Sequence, residues 1–250
     1  MKLLDISANS AENTVTSLII PIYNEEANLP RSLELITQWL NASNEPREVV
    51  FFDDGSVDKT PLILKEAAKS DARIRLIRQE NNLGKGAAVK LGMLEAHGKY
   101  RLFTDCDLAY GLESLRRIEE KLRITDCDVA VGSRALHPDG YGDYSSFRRL
   151  TSKAYMSVLR HAAELTNTDS QCGIKGFTDE AAMKIFANCH TDGYAFDLEV
   201  LMLAKRLRLK VVEIPVKIIE HSQQRSKVKP VRDALKMLGD VRKIKNRIDR

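Results

Sequence analysis

Tyr100-Arg101-Leu102-Phe103-Thr104-Asp105-Cys106-Asp107 is a short, largely apolar run that ends in two carboxylates two positions apart. The run has the length and character of a buried strand. Asp105 and Asp107 at its carboxyl end form a compact two-pronged anion. Hard oxygen ligands of this kind suit a divalent cation, Mg2+ or Mn2+, and the cation can in turn hold a diphosphate. Such acidic triplets also recur by chance on solvated loops. The weight here comes from two segments that leave strands in the same way: Pro21-Ile22-Tyr23-Asn24-Glu25-Glu26 and Asp53-Asp54-Gly55-Ser56.

On both sides of this run the chain alternates. Thr16–Ile22, Glu48–Phe52, Arg73–Ile77, Tyr100–Phe103 and Asp128–Val131 read as strands. Between them Glu25–Leu40, Lys59–Lys69, Gly86–Ala96 and Leu112–Leu122 carry apolar residues at helical spacing. This pattern predicts an α/β fold, a mostly parallel sheet with helices on both faces. Ligands of such sheets gather beyond the carboxyl ends of the strands. Tyr23, Asp53, Asp54, Asp105 and Asp107 all fall at such ends. After Arg134 the pattern changes: Leu136–Tyr144 reads as a mobile loop and Ser145–Leu165 as a helix. Gly173–Phe177 then reads as a strand, Asp179–Phe186 and Asp197–Leu207 as helices, Lys210–Val216 as a strand, and Pro230 as the opening of a last helix.

Composition bounds the class. The 250 residues are enough for one sizeable core, and 43% hydrophobic with 30% charged residues is ordinary for a soluble globular chain. No eighteen-residue apolar stretch occurs, and the N-terminus does not read as a secretory signal. Cys106, Cys127, Cys172 and Cys189 are widely spaced, so reduced thiols are expected rather than a zinc site or a disulfide framework. The net charge of +4 is unevenly placed. Arg225–Arg250 carries ten Lys or Arg against three Asp, which leaves the rest of the chain net −3. A basic tail on a near-neutral body suggests an anionic partner for the tail.

The strand ends admit two readings each. Asn24 can cap a helix whose first turn holds Glu25 and Glu26. Alternatively Tyr23 lies against a base or ribose and Glu25 accepts from ribose hydroxyls. Asp58 suits a helix cap, whereas Asp54 suits recognition of a base N–H. Asn81-Asn82-Leu83-Gly84-Lys85-Gly86 offers two glycines and a lysine at a helix N-terminus, which is an anion site by geometry and dipole, although Lys85 can equally be solvated.

Taken together, Pro21-x-Tyr23-Asn24-Glu25, Asp53-Asp54-Gly55-Ser56-x-Asp58-x-Thr60, Asn82-Leu83-Gly84-Lys85-Gly86, Asp105-x-Asp107 and Gly132-Ser133-Arg134 resemble the family 2 glycosyltransferases of the GT-A fold. Asp169-Ser170-Gln171-Cys172-Gly173-Ile174-Lys175-Gly176-Phe177, Phe196-Asp197-Leu198-Glu199 and Arg225-Ser226-Lys227-Val228 narrow the resemblance to the polyprenyl-phosphate branch, the dolichyl-phosphate mannose and glucose synthases and their bacterial relatives. It spans about Thr16 to Val228.

The resemblance implies a three-layer GT-A sandwich over 1–229 that binds a nucleotide diphosphate sugar of the UDP-glucose or GDP-mannose type. Pro21, Tyr23, Glu25, Asp54, Lys85, Asp105 and Arg225 would line the nucleotide site. It implies an inverting transfer of hexose to a polyprenyl phosphate. Asp105 and Asp107 would hold the metal against the diphosphate leaving group. Arg134, Arg225 and Lys227 would add positive charge around phosphate oxygens. A phosphate acceptor is already anionic and needs no strong base, whereas a saccharide hydroxyl needs one. Asp197 is then the first candidate and Glu199 the second. Many mannose-synthase-like members carry a Gln two residues beyond the acidic pair, where this chain has Ala109. Cys172 reads as a small packing residue, since inverting sugar transfer needs no thiolate.

Residues 230–250 read as a basic amphipathic helix. Val231, Ala234, Leu235, Leu238, Val241, Ile244 and Ile248 share one stripe. The helix suits either an anionic membrane interface or packing on the body. The expected setting is cytoplasmic, peripheral at the membrane face, with no nucleic-acid partner. The competing functions are transfer to a saccharide hydroxyl and non-catalytic nucleotide-sugar binding.

Overall fold

The computed structural model describes residues 4–6, 13–141, 157–219 and 230–248; for 4–6 and 230–237 the description covers the backbone alone. In chain order the elements are β1 (Leu4–Ile6), β2 (Thr16–Ile22), α1 (Leu29–Asn41), β3 (Arg47–Asp54), α2 (Thr60–Ser70), β4 (Ile74–Gln79), α3 (Lys85–Glu95), β5 (Tyr100–Thr104), α4 (Gly111–Ile124) and β6 (Val129–Ser133). There follow α5 (157–162), β7 (Ile174–Thr178), α6 (Asp179–Phe186), α7 (Phe196–Arg206), β8 (Val211–Pro215) and α8 (Pro230–Ile248).

Among the described residues, eight strands form one sheet in the order β1-β4-β3-β2-β5-β7-β6-β8. β2 runs parallel to β3 and β5, β3 to β4, and β6 to β8. β7 is inserted antiparallel between β5 and β6, and β1 lies antiparallel on β4 at the edge. The sheet is therefore mixed, with a parallel heart.

The strands read as continuous apolar runs because both faces are covered. Alternate side chains enter opposite layers. Leu18, Ile20 and Ile22 meet Leu29, Ile36 and Leu40 of α1, together with residues of α2 and α4. Ile19, Val50 and Phe52 instead join α3, α5, α6, α7 and α8. Phe51 and Phe52 are both fully buried, one in each layer. Burial of each such side chain contributes about 1.5–3 kcal/mol.

The register brings the strand ends together. Ile22 lies opposite Asp53, and Asp53 opposite Arg78. β5 pairs with β2 and ends in the same direction. The chain leaving β2, β3 and β5, with Tyr23, Asp54 and Asp105, thus emerges at one edge of the sheet.

Two expectations change. α1 begins at Leu29, later than the Glu25 start that its acids suggested, and Asn24 is not its cap. Pro30 lies in the first turn, where its missing N–H is harmless, and a turn more upstream would place it in the helix interior. The loop Leu136–Tyr144 is described only to Tyr141, with turns closed by His137 N–H to the Arg134 carbonyl and Gly140 N–H to the His137 carbonyl. Most of the expected helix Ser145–Leu165 lies outside the described residues, which resume at 157. The described apolar stripe of α8 packs on the body: Val241 and Ile244 are buried in the layer that holds α7, with Leu238 and Ile248 against it. Among the described residues no helix is long and apolar enough to cross a membrane.

Candidate active site

The loops after β2 and β3 are fastened to each other. Asn24 N–H donates to Ser56 Oγ and Glu25 N–H to Thr60 Oγ1, each at 2.9 Å. Val57 N–H returns to Asn24 Oδ1 and Lys59 N–H to Glu26 Oε2, also at 2.9 Å. Asn24 adopts φ 54°, a left-handed conformation that Asn tolerates better than most residues. Its side chain therefore serves the neighbouring loop. Asp58 accepts from Thr60 N–H and Glu26 N–H, but it stands one residue before Lys59, the N-cap of α2, and is not itself the cap. This lacing leaves Tyr23 exposed and Glu25 half-buried. Pro21 lies within β2, in register with Phe52.

Acidic groups crowd this edge. Burial pushes the Glu25 carboxyl up, the Asn28 amide opposes it, and the charges of Asp107, Asp105 and Asp58 add to the rise. Asn28 Nδ2 donates to Glu25 Oε2 at 2.6 Å. Burial and the adjacent Asp105 charge likewise push Asp107 up. Ala109, two residues beyond the acidic pair, gives Asp107 only its backbone: its N–H reaches Oδ1 at 3.2 Å. Asp105 meets Lys85 Nζ at 2.5 Å. Burial alone would lower the Lys85 ammonium, but Asp105 and Asp197 together hold it above the usual lysine value.

The segment before α3 differs from its sequence reading in one respect. The backbone N–H groups of Leu83, Gly84, Gly86 and Ala87 are taken up inside the protein. Asp54, almost fully buried, accepts from Leu83 N–H at 2.9 Å, Gly84 N–H at 2.8 Å and the Gln79 amide. Gly86 N–H and Ala87 N–H both donate to the Asp192 carbonyl, at 2.7 and 3.3 Å. The cationic side chain at this corner is Lys85.

Arg134 closes a bidentate fork on Asp169, with Nε to Oδ2 at 2.7 Å and Nη2 to Oδ1 at 2.8 Å, and its own N–H adds a third bond. Asp169 is fully buried. Cys172 is buried beside them; burial first, then the Asp169 charge, pushes its thiol up to about 11. It is a protonated packing group, as its sequence context suggested.

Asp197 pairs with Lys175, and Lys175 also donates to the Cys172 carbonyl at 2.7 Å. Lys175 is fully buried and Asp197 nearly so. Burial raises the Asp197 carboxyl despite the opposing charges of Lys175 and Lys85. Gly173 packs on the acidic pair: a Cβ there would sit 2.4 Å from Asp105 Oδ2. Glu199, the second base candidate, is turned away into residues 190–191, where its Oε2 accepts two backbone N–H groups.

The structure thus brings Glu25, Lys85, Asp105, Asp107 and Asp197 into one electrostatic cluster and sets Arg134 against Asp169. Arg225 and Lys227 lie outside the described residues. Sequence reasoning missed Lys175 and Asp169 as site-building groups, although both stand in the segment that carried the narrower resemblance. Asp105 and Asp107 offer hard oxygens whose mutual repulsion a divalent cation would relieve, so their chemistry fits Mg2+ or Mn2+ with water and substrate phosphate as further ligands. Among the described residues no three His, Cys, Asp or Glu form a metal cage.

The fold matches glucosyl-3-phosphoglycerate synthase from Mycobacterium tuberculosis, in complex with Mn2+, UDP and glucosyl-3-phosphoglycerate, with a TM-score of 0.67 at 16% identity over 94% of this chain and 80% of that one. That likeness establishes the GT-A fold. Dolichyl-phosphate beta-glucosyltransferase of Dictyostelium discoideum is 32% identical over 96% of this chain and 76% of its own length. The Saccharomyces cerevisiae protein of that name is 32% identical over 92% and 74%, and the Homo sapiens one 31% over 80% and 66%. Residues 17–186 match Glycosyl transferase family 2, and with this sheet, these strand ends and these relatives the chain belongs to the family 2 glycosyltransferases.

Proposed function

We propose that this enzyme moves a glucose from UDP-glucose to a polyprenyl phosphate of the dolichyl or undecaprenyl type, with inversion at the sugar. The observation that carries the reading is 31–32% identity, over most of the chain, to proteins named dolichyl-phosphate beta-glucosyltransferase. The site geometry supports it. A phosphate acceptor needs charge and orientation rather than a base. Asp197 is paired through Oδ1 with a buried lysine and Glu199 accepts from two backbone amides, which supports structural roles for both.

In this reading Tyr23 and Glu25 line the nucleoside side of the site, and Asp54 shapes it by holding the 83–84 turn. Lys85 meets diphosphate oxygens once it leaves Asp105. Asp105 and Asp107 would hold a Mg2+ or Mn2+, which supplies charge neutralisation of the leaving diphosphate. Arg134, Arg225 and Lys227 are proposed to draw in the acceptor phosphate, Arg134 through whichever donors its Asp169 fork leaves open. α8 remains a candidate for peripheral membrane contact through its basic face.

Calorimetry of UDP-glucose and GDP-mannose, each with and without Mn2+, tests the donor, and transfer to polyprenyl phosphate against a free saccharide tests the acceptor. Metal-dependent binding of UDP-glucose and transfer only to the lipid phosphate are expected. Transfer to a saccharide hydroxyl in the absence of lipid phosphate would overturn the acceptor assignment.

A further inference from the structure

Glu199 is 1% exposed and sits on α7, yet both its oxygens serve other parts of the chain. Oε2 accepts from His190 N–H at 2.9 Å and Thr191 N–H at 2.7 Å. Oε1 faces an Arg247 guanidinium nitrogen at 3.3 Å, and Arg247 Nη2 also donates to Thr191 Oγ1 at 3.0 Å. Arg247 belongs to α8. The terminal helix therefore grips the same short segment that Glu199 holds.

That segment passes the contact to the donor corner. The Asp192 carbonyl accepts both Gly86 N–H and Ala87 N–H, and Lys90 Nζ donates to the Cys189 carbonyl at 2.7 Å. The packing has no slack. A Cβ at Gly86 would lie 2.2 Å from the Thr191 carbonyl oxygen, and one at Gly84 2.5 Å from that of Asp192. Between these two glycines stands Lys85, whose ammonium meets Asp105.

We propose that Glu199 and Arg247 are positioning residues for the nucleotide-sugar site. They clamp residues 189–192 onto the start of α3 and so fix Lys85 at the acidic pair, which lets α8 set donor affinity without touching the donor. The physical reason lies in the burial of Glu199. A buried carboxylate that loses its cation is strongly disfavoured. Its nearest relief is to open the 190–192 segment to water, and that movement takes the Asp192 carbonyl off Gly86 and Ala87. Arg247 is the exposed member of the pair and Glu199 the buried one, so loss of the arginine is felt at Glu199 and the segment it holds.

The inference rests on the Lys85–Asp105 edge being the donor site, and the test separates the two claims. Full-length protein, Arg247→Met, Arg247→Lys and Glu199→Gln are compared by amide hydrogen exchange at Gly86 and Ala87, by UDP calorimetry, and by kcat and KM. Arg247→Met is expected to quicken exchange at both amides and to weaken UDP binding by about tenfold, the size of a typical coupling between linked residues. KM for the donor rises while kcat holds, and Arg247→Lys recovers part of the loss. Unchanged exchange at Gly86 and Ala87 with unchanged UDP affinity overturns the proposal, even where the melting temperature falls. Wild-type protein that binds no nucleotide would fail the donor reading instead, and the exchange rates would then judge the clamp alone.

Discussion

Lys85 and Asp105 meet at 2.5 Å between the start of α3 and the end of β5. A protein cation thus occupies the acid that a metal would share. The ammonium screens Asp105 from Asp107, whose carboxyl burial and repulsion already push up. In the proposed reading an incoming diphosphate with its divalent cation would take over both partners, the acids holding the cation and Lys85 the phosphate oxygens.

Lys85→Met should therefore move two affinities in opposite directions. Mn2+ binding without nucleotide strengthens, because its internal competitor is gone. UDP binding weakens by about 1.5–3 kcal/mol, the range for a hydrogen bond to a charged group. Calorimetry with Mn2+ alone and with UDP reads both. Parallel movement of the two, or movement of neither, would sink the exchange of partners.

Gly173→Ala tests the fit of the acidic pair without changing a charge. Its Cβ would lie 2.4 Å from Asp105 Oδ2. The carboxylate must swing away, since the added atom is fixed to the backbone. A displacement of about 1 Å in a positioning group can cost a hundredfold in rate. kcat/KM is expected to fall by about that factor while the melting temperature changes little. Retention of full activity would show that Asp105 need not hold this place.

Legibility followed from how local each feature is. β2, β3 and β5 were visible because they are buried on both faces and broken by helical stretches of regular period. β1 was missed, since three residues carry no periodicity and its strand pairing comes from β4. The antiparallel insertion of β7 was equally hidden, because alternation along a strand says nothing of its neighbour's direction. At the site, acids at strand ends could be read, but their partners could not. Lys175 lies in a strand between Ile174 and Gly176 and looks outward-facing by pattern. It is buried because Asp197, on a helix 22 residues later, receives it. Arg134 was read as free for phosphate, and only the fold brings Asp169 to its fork.

Glu25→Gln gives a pH-dependent prediction. The folded-state carboxyl value is raised above the ordinary 4.5, burial being the largest cause. A raised value means the folded chain holds the proton more tightly than the unfolded chain does. That stabilisation is complete below the unfolded value and is lost as pH rises through the folded one. At pH 7 the ionised Glu25 thus costs stability, and Gln keeps the acceptor for Asn28 without the charge. The variant should melt above wild type at pH 7, and the gap should close as pH falls to about 4. Nucleotide affinity should fall in the same variant, the usual exchange of stability for function. A lower melting temperature at pH 7 would contradict the sign.

Lys175→Met asks what the buried Lys175–Asp197 pair is for. Both groups are sequestered, so removal of the lysine strands a carboxylate and leaves the Cys172 carbonyl without its donor. Breaking such a pair costs about 3–5 kcal/mol, whereas replacing both members by apolar groups is often close to neutral. Lys175→Met alone should therefore be strongly destabilised, and Lys175→Met with Asp197→Leu should recover much of the loss. The pH dependence has a definite sign. The Asp197 carboxyl is already raised by burial, and loss of Lys175 raises it further, so the single variant should approach wild type as the solution is acidified. Activity separates the two roles of Asp197. If it only supports the site through Lys175 and Lys85, the stable double variant keeps measurable transfer to a lipid phosphate. If its carboxylate acts on the acceptor, the double variant folds and is inactive, and the base-free reading of the phosphate acceptor falls with it.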